Sequence, residues 1–429
     1  MPAPLLYGAW VGVSALLLPF IARREVGKLR GVGLSVDRAH EKLGHASVRR
    51  SAGGPLIWFH SASVGESLSV LALITRMGVI LPDAQFLMTS GTATSAALVA
   101  KRLPPRCVHQ FAPLDAGGPM KRFLKHWKPD AAVFVESELW PQMLRRTHDS
   151  GAGMAMVNAR LSETSLARWG KQPALARYLL EVFDLILTQN DAMAENMVAI
   201  GAPADRVARG VNLKSMAGPL PVDEDALYEA RAALGHRPVW VASSTHAGEE
   251  EVVLAAHRAL LKDWPDLHLI LAPRHPERGD AVAALIAEAG LEMTRRSAGD
   301  QPGAQVYLAD TLGELGTWYS LSDLVFLGGS LLPIGGHNPF EVAQAGGITI
   351  AGPHLANFAE TYAEMQGAGA ALEAADAGTL RAQVARLLGD EAAREAARTA
   401  ARGFAEARVD RLDAIADRLI KALGLRADG

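Results

Sequence analysis

The sequence predicts an α/β protein built from two doubly wound domains, and three observations predict it. Short apolar runs alternate with longer amphipathic stretches along the whole chain, the mark of βαβ units and parallel sheets. That rhythm stops at Gly210–Val222, where Gly218-Pro219 and Pro221 break any helix, and then begins again. The length of 429 residues is too great for one ordinary core.

Before the first strand comes a segment of another kind. Met1 to Ala22 carries no charged side chain, and Leu5–Ala22 is apolar and nearly long enough to span a bilayer. Arg23, Arg24, Lys28 and Arg30 follow at once. Read as a membrane anchor, the segment keeps those charges and the rest of the chain on the cytoplasmic side. Two other readings stand beside it, a buried core helix and a cleaved signal peptide. Phe-Ile-Ala before Arg23 is a poor cleavage site for the latter. Pro19 is expected to kink or stop the helix.

The first half offers strands at Leu56–Ser61, Gln85–Thr89, Ala131–Val135, Met154–Asn158 and Leu185–Thr188. Helical stretches between them include Leu68–Met77, Ala96–Arg102, Met120–His126 and Ala192–Ile200. The second half offers Pro238–Ala242, Leu267–Ala272, Gln305–Leu308, Leu324–Leu327 and Ile348–Ala351 as strands. Its helical stretches include Glu250–Asp263, Ala281–Ala289 and Phe340–Ala345. Thr379–Leu423 is helical, with charges that read as solvated faces. The domain boundaries expected are 1–30 for the anchor and its basic flank, 31–210 for a first α/β domain and 211–429 for a second.

Composition narrows the function. Hydrophobic residues make up 49% and charged residues 21%, as in a folded globular protein. A net charge of −3 gives no global basic field, so no nucleic acid is expected as a partner. The single cysteine, Cys107, cannot form an intrachain disulfide and reads as a core residue. No Cys/His cluster has metal-ligand spacing, so no metal and no cofactor are expected. Gly-x-Gly-x-x-Gly is absent after the first strand, which disfavours a dinucleotide oxidoreductase, and there is no Walker A motif.

In doubly wound sheets ligands sit beyond the carboxyl ends of strands, and several motifs fall there. Gly328-Gly329-Ser330 follows the apolar strand Leu324–Leu327, and Gly335-Gly336-His337-Asn338-Pro339-Phe340-Glu341 comes next. Glycines let a backbone approach a ligand, and the helix start at Asn338 is suited to an anion such as a nucleotide-sugar phosphate. Glu341 could accept ribose hydroxyls; the alternative is a well-capped turn without a ligand. Pro273-Arg274-His275-Pro276-Glu277-Arg278 ends another strand and forms an anion-binding candidate, or a surface salt-bridge loop. Glu66, in Ser63-Val64-Gly65-Glu66, could be a general base or one half of a capping box. Thr311-Leu312-Gly313-Glu314 carries the same ambiguity. Glu136 and Glu138 lie on one side of an extended strand end, so one can act while the other is structural. Lys214 stands at the junction of the halves. Glu249, Glu250 and Glu251 open a helix, where the helix dipole suffices to explain them.

Taken together, HSASVGES, VESELWPQ, NARLSE, NLK, ASSTHAGEEE, APRHPER, DTLGEL, GGSLLPIGGHNPFEVA and GPHLANF resemble the 3-deoxy-D-manno-octulosonic acid (Kdo) transferase family, in family order from Trp58 to Phe358. The resemblance implies a glycosyltransferase B architecture: two Rossmann-like domains facing a cleft, behind an N-terminal membrane-anchor helix. It implies inverting, metal-independent transfer of Kdo from CMP-Kdo to a lipid A precursor (lipid IVA) at the cytoplasmic face of the inner membrane. The first domain would then bind the acceptor and the second the CMP-sugar. It makes Glu66 the proton acceptor, with Glu136 and Lys214 stabilising the transition state. Pro273 and Arg274, then Leu312, Gly313 and Glu314, then Asn338, Pro339, Phe340 and Glu341 match CMP-contacting positions. The glycine-rich block adds Gly328, Gly329 and Ser330 as binding candidates. Gln142 stands where the family commonly has Asn, Val211 where Gly is common, and Ser215-Met216 where Phe-Asp is usual. Two other functions compete: a UDP-sugar transferase acting on a lipid carrier, and a catalytically silent, membrane-tethered nucleotide-sugar binding protein.

Overall fold

Each half of the chain builds a seven-stranded, wholly parallel sheet with helical connections. The computed structural model describes residues 2–210, 212–213 and 220–425. It divides into one unit of Met1–Ala217 with Asp410–Gly429 and a second of Gly218–Val409.

In the first unit the strands are β1 (Leu56–His60), β2 (Gln85–Ser90), β3 (Cys107–Phe111), β4 (Ala131–Val135), β5 (Gly153–Ala159), β6 (Leu185–Thr188) and β7 (Val207–Arg209). Their order is β3-β2-β1-β4-β5-β6-β7, so the winding reverses between β1 and β4. Every residue of β1 and β4 is buried. Helices cover both faces of such a sheet, which is why these strands read as continuous apolar runs and not as alternating ones. Trp58, Phe123, Trp127 and Phe134 fill one face, while Ile57, Phe59, Val133 and Val135 fill the other. A fully buried side chain of this size contributes about 1.5–3 kcal/mol.

The second unit carries β8 (Val239–Thr245), β9 (His268–Pro273), β10 (Met293–Arg295), β11 (Val306–Leu308), β12 (Leu324–Leu327), β13 (Ile348–Ala351) and β14 (Ala371–Glu373). The order is β10-β11-β9-β8-β12-β13-β14, with the same reversal, here between β8 and β12. A switch point of this kind opens a crevice at the strands' carboxyl ends.

The last helix, Glu391–Ala422, does not belong wholly to the second unit. Leu412, Ile415, Ala416, Leu419 and Ile420 are buried in the core around β1, β2 and β4 of the first unit. Arg394 and Arg398, near its start, pair instead with Asp323 of the second.

The N-terminal helix runs from Leu5 to Gly31 and continues past Pro19, so the proline does not stop it. Proline removes one intrahelical hydrogen bond, and the ladder resumes beyond it. By length and composition the helix can cross a membrane, with mean hydropathy 1.9 over its most apolar window. None of that window is buried, which disposes of the core-helix reading.

Candidate functional site

At the first switch point, β1 ends in His60 and leads through Ser61–Ser63 into the helix Val64–Ser69. Ser63 caps that helix, its hydroxyl accepting the Glu66 N–H at 3.3 Å. The Glu66 carboxylate turns back on the same loop, accepting from the Ala62 N–H at 2.8 Å and the Ser63 hydroxyl at 3.0 Å. The capping reading of Glu66 is therefore real, and it also fixes where the carboxylate points. Glu66 is only 9% exposed. Burial, with Glu136 and Glu138 nearby, pushes its carboxyl above the usual range against the bonds from Ala62 and Ser63. A buried carboxylate with raised proton affinity has the makings of a general base.

Glu136 and Glu138 follow β4, the neighbour of β1. Their roles separate. Glu138 is buried, 3.1 Å from His60 Nε2 and 2.5 Å from the Trp140 indole N–H. Burial raises its carboxyl, but the bonds from His60 and Trp140 outweigh that and hold it below the usual range. Glu136 is half-buried and adopts φ +58°, a left-handed conformation unusual for a side chain of its size. Asn158, at φ +56° in β5, donates to Glu136 at 3.2 Å and accepts the Leu213 N–H at 3.1 Å. Lys214 lies outside the described residues.

At the second switch point a cavity of about 290 Å3 is lined by Pro273, Arg274, Leu312, Gly313, Asn338 and Glu341, all expected from the sequence. Ser244, Thr311, Leu315, Trp318, Leu327, His337 and Phe358 line it too. Arg274 is exposed and has no ion pair among the described residues. Arg278, by contrast, is spent on the buried Glu250 at 2.6 Å. His337 and His246 stack, with their Nε2 atoms 3.0 Å apart. Burial, with His246 and Arg274 close by, pulls His337 down to about 4. Such a pair holds one N–H and one lone pair at neutral pH.

Several expected binding residues do other work. The backbone N–H groups of Gly329, Ser330 and Leu331 donate to the Glu249 carboxylate at 2.7, 2.9 and 2.9 Å. A phosphate cannot use them while Glu249 does. Gly328 is needed for packing: a Cβ there would sit 2.6 Å from the Ser244 carbonyl oxygen and 2.7 Å from Thr245 Cα. Gly329 has φ +65°, and a Cβ there would strike the His337 ring. Pro339 and Phe340 are buried, and the Phe340 N–H is already taken by Asn338 at 3.2 Å. Glu314 pairs with Arg296 at 2.6 Å and accepts from Thr311. Glu249 itself, assigned from sequence to the helix dipole, is wholly buried and also accepts the His246 N–H at 2.9 Å.

Comparison with known proteins bears on what these sites do. The family described as "3-Deoxy-D-manno-octulosonic-acid transferase (kdotransferase)" matches residues 37–217. The chain is similar to "3-deoxy-D-manno-octulosonic acid transferase" of Bordetella pertussis, 34% identical over 86% of this chain and 88% of that protein. It is also similar to "Probable 3-deoxy-D-manno-octulosonic acid transferase, mitochondrial" of Arabidopsis thaliana, 34% identical over 83% and 80%. Among solved structures, a glycosyltransferase from Rickettsia africae ESF-5 shares the fold, with TM-score 0.57 at 13% identity over 86% of this chain and 99% of that one.

Proposed function

This chain belongs to the Kdo transferase family, and from that membership we infer that it transfers Kdo from CMP-Kdo to a hydroxyl of a lipid A precursor, with inversion, in lipopolysaccharide biosynthesis. It is a glycosyltransferase of the B architecture. The observation that carries the mechanism is Glu66: buried, aimed by two hydrogen bonds, and raised in proton affinity.

A sugar hydroxyl is a weak nucleophile and must lose its proton as it attacks. In this reading the Glu66 carboxylate takes that proton while the oxygen bonds to the anomeric carbon of Kdo. The bond from that carbon to the CMP phosphate breaks, and its electron pair leaves with CMP. The anomeric carbon passes through oxocarbenium-like character, as in glycoside hydrolysis. Glu136 is suited to that positive charge, and Lys214 is carried into the same step by the family resemblance. The leaving phosphate gathers negative charge, which Arg274 stabilises, with the His246–His337 pair as a further donor. Glu341 takes the ribose hydroxyls. The N-terminal helix serves as a membrane anchor, with Arg23, Arg24, Lys28 and Arg30 at its cytoplasmic end, and keeps the enzyme beside an acceptor that cannot leave the bilayer.

The test is a transfer assay with purified full-length protein, CMP-Kdo generated in situ and a tetraacylated lipid A precursor, with EDTA present. A product heavier by one or more Kdo units, seen by mass spectrometry, is expected. No product beside an active control enzyme, or transfer from a UDP-sugar instead, would overturn the reading.

A further inference from the structure

Two residues at the carboxyl ends of β4 and β5 share an uncommon backbone, Glu136 at φ +58° and Asn158 at φ +56°. They are tied together. Glu136 directly follows β4, and its N–H donates at 3.0 Å to the carbonyl of Val157, the residue before Asn158. β5 bulges at this point: from Met156 to Ala159 it advances three residues while β6 advances two, from Ile186 to Thr188. Such a bulge re-aims a side chain, and bulges of this kind collect beside active sites. Asparagine tolerates left-handed backbone better than most side chains, so the bulge suits Asn158. Glutamate tolerates it less well, and Glu136 keeps that conformation only because its surroundings hold it there.

The Asn158 side chain is buried, and two partners agree on how its amide is turned. The Leu213 N–H can only donate, so the atom it meets at 3.1 Å is Oδ1. That sets Nδ2 toward Glu136 Oε1, an acceptor, at 3.2 Å. Leu213 is itself buried, which makes it a firm anchor for the amide. If capping the Leu213 N–H were the whole role, aspartate would serve as well as asparagine. It has the same shape and keeps the oxygen. Toward Glu136 the two differ completely, because aspartate would set a second carboxylate where asparagine offers a donor.

We propose that Asn158 is a positioning residue for the transfer: its amide, locked by the Leu213 N–H, aims the Glu136 carboxylate at the place where the anomeric carbon becomes positive. Asn158 acts through Glu136 and takes no part in making or breaking bonds. A charge fixed in advance stabilises a transition state more than one that must first turn into place. The positive charge it meets exists only in the transition state, so the effect belongs to kcat and not to KM. This inference rests on the transferase reading and deepens it.

The experiment measures transfer by full-length protein in detergent, from CMP-Kdo to a tetraacylated lipid A precursor. Asn158→Asp should lower kcat by about ten- to a hundredfold, the worth of one hydrogen bond to a charged group, with both KM values within about twofold of wild type. Asn158→Gly accepts φ +56° freely and should lower kcat by about tenfold, which covers the case of an aspartate variant that folds poorly. Each substitution is then repeated in a Glu136→Gln background. There it should cost no more than about twofold, because the carboxylate it aims is already gone. Wild-type kcat in the Asn158 variants, a loss confined to KM, or losses that multiply in the double variants would each overturn the inference while wild-type transfer stands. No transfer by wild type would instead sink the transferase reading.

Discussion

Replacing Glu249 by glutamine tests whether a buried carboxylate, and not a bound phosphate, organises the glycine-rich loop. Each of its oxygens serves two N–H groups: Oε1 those of Ser330 and Leu331, Oε2 those of His246 and Gly329. Glutamine keeps one carbonyl oxygen and sets an NH2 where the other stood. Whichever way the amide turns, two backbone donors face a donor in a dry interior. An orphaned buried donor costs about 1–3 kcal/mol, so the substitution should destabilise the second unit by about 2–6 kcal/mol. The direct assay is urea unfolding followed by tryptophan fluorescence, with Trp240 and Trp318 as buried reporters in that unit. The loop also leads to His337 and Asn338, which line the cavity beside Arg274, so donor affinity should fall in the same variant. A loss of less than about 0.5 kcal/mol, with donor affinity intact, would refute the account and return the loop's N–H groups to a ligand.

Glu66→Gln should lower kcat by about 10²–10⁴ while donor still binds, as titration with CMP would register; near-normal turnover would remove Glu66 as the base. The same carboxyl, raised by burial and by Glu136 and Glu138, must be ionised to act, so kcat should fall on acidification from a pH above the ordinary glutamate range. Arg274→Ala should raise the donor KM about tenfold or more with little change in stability, because the guanidinium has no ion pair among the described residues to lose. His257 is wholly buried, accepting from the Trp240 indole at 3.1 Å, its Nε2 3.1 Å from the Gln305 carbonyl, and burial pulls it down to about 4. The unfolded chain takes up a proton near pH 6.5 that the folded chain refuses. Its contribution is therefore lost as pH falls from about 6.5 to 4, amounting to about 3 kcal/mol at the acid end. His257→Gln, which keeps a donor and an acceptor, should flatten that part of the pH–stability curve.

The central strands were legible because helices cover both their faces: a wholly buried parallel strand is an uninterrupted apolar run, as Ala131–Val135 and Leu324–Leu327 are. Four strands were not offered from sequence: β7, β10 and β14, each three residues long and giving little periodicity to register, and β3, whose buried His109 and Gln110 interrupt the apolar run. Glu66, Glu136 and Arg274 were legible as candidates for a related reason. Each closely follows a readable strand, and in doubly wound sheets function collects at those ends. What each side chain touches was not legible. Gly329 meets Glu249 across 80 residues, and Trp10 meets Asp115 across 105. Those meetings depend on strand order, which local pattern does not encode.

The glycine-rich loop shows the difference most sharply. Read locally, Gly328-Gly329-Ser330 is a place for a ligand's phosphate. In the fold, β12 lies directly beside β8, whose outgoing turn brings Glu249 under the loop. The carboxylate occupies the position an anion would take; Gly328 is small because β8 is close, and Gly329 because the His337 ring is. In the reading proposed above, anion recognition falls instead to Arg274, which has no ion pair among the described residues, and to the His246–His337 pair. Which backbone N–H groups the fold has already satisfied is thus set by strand order, and only the tertiary structure reveals it.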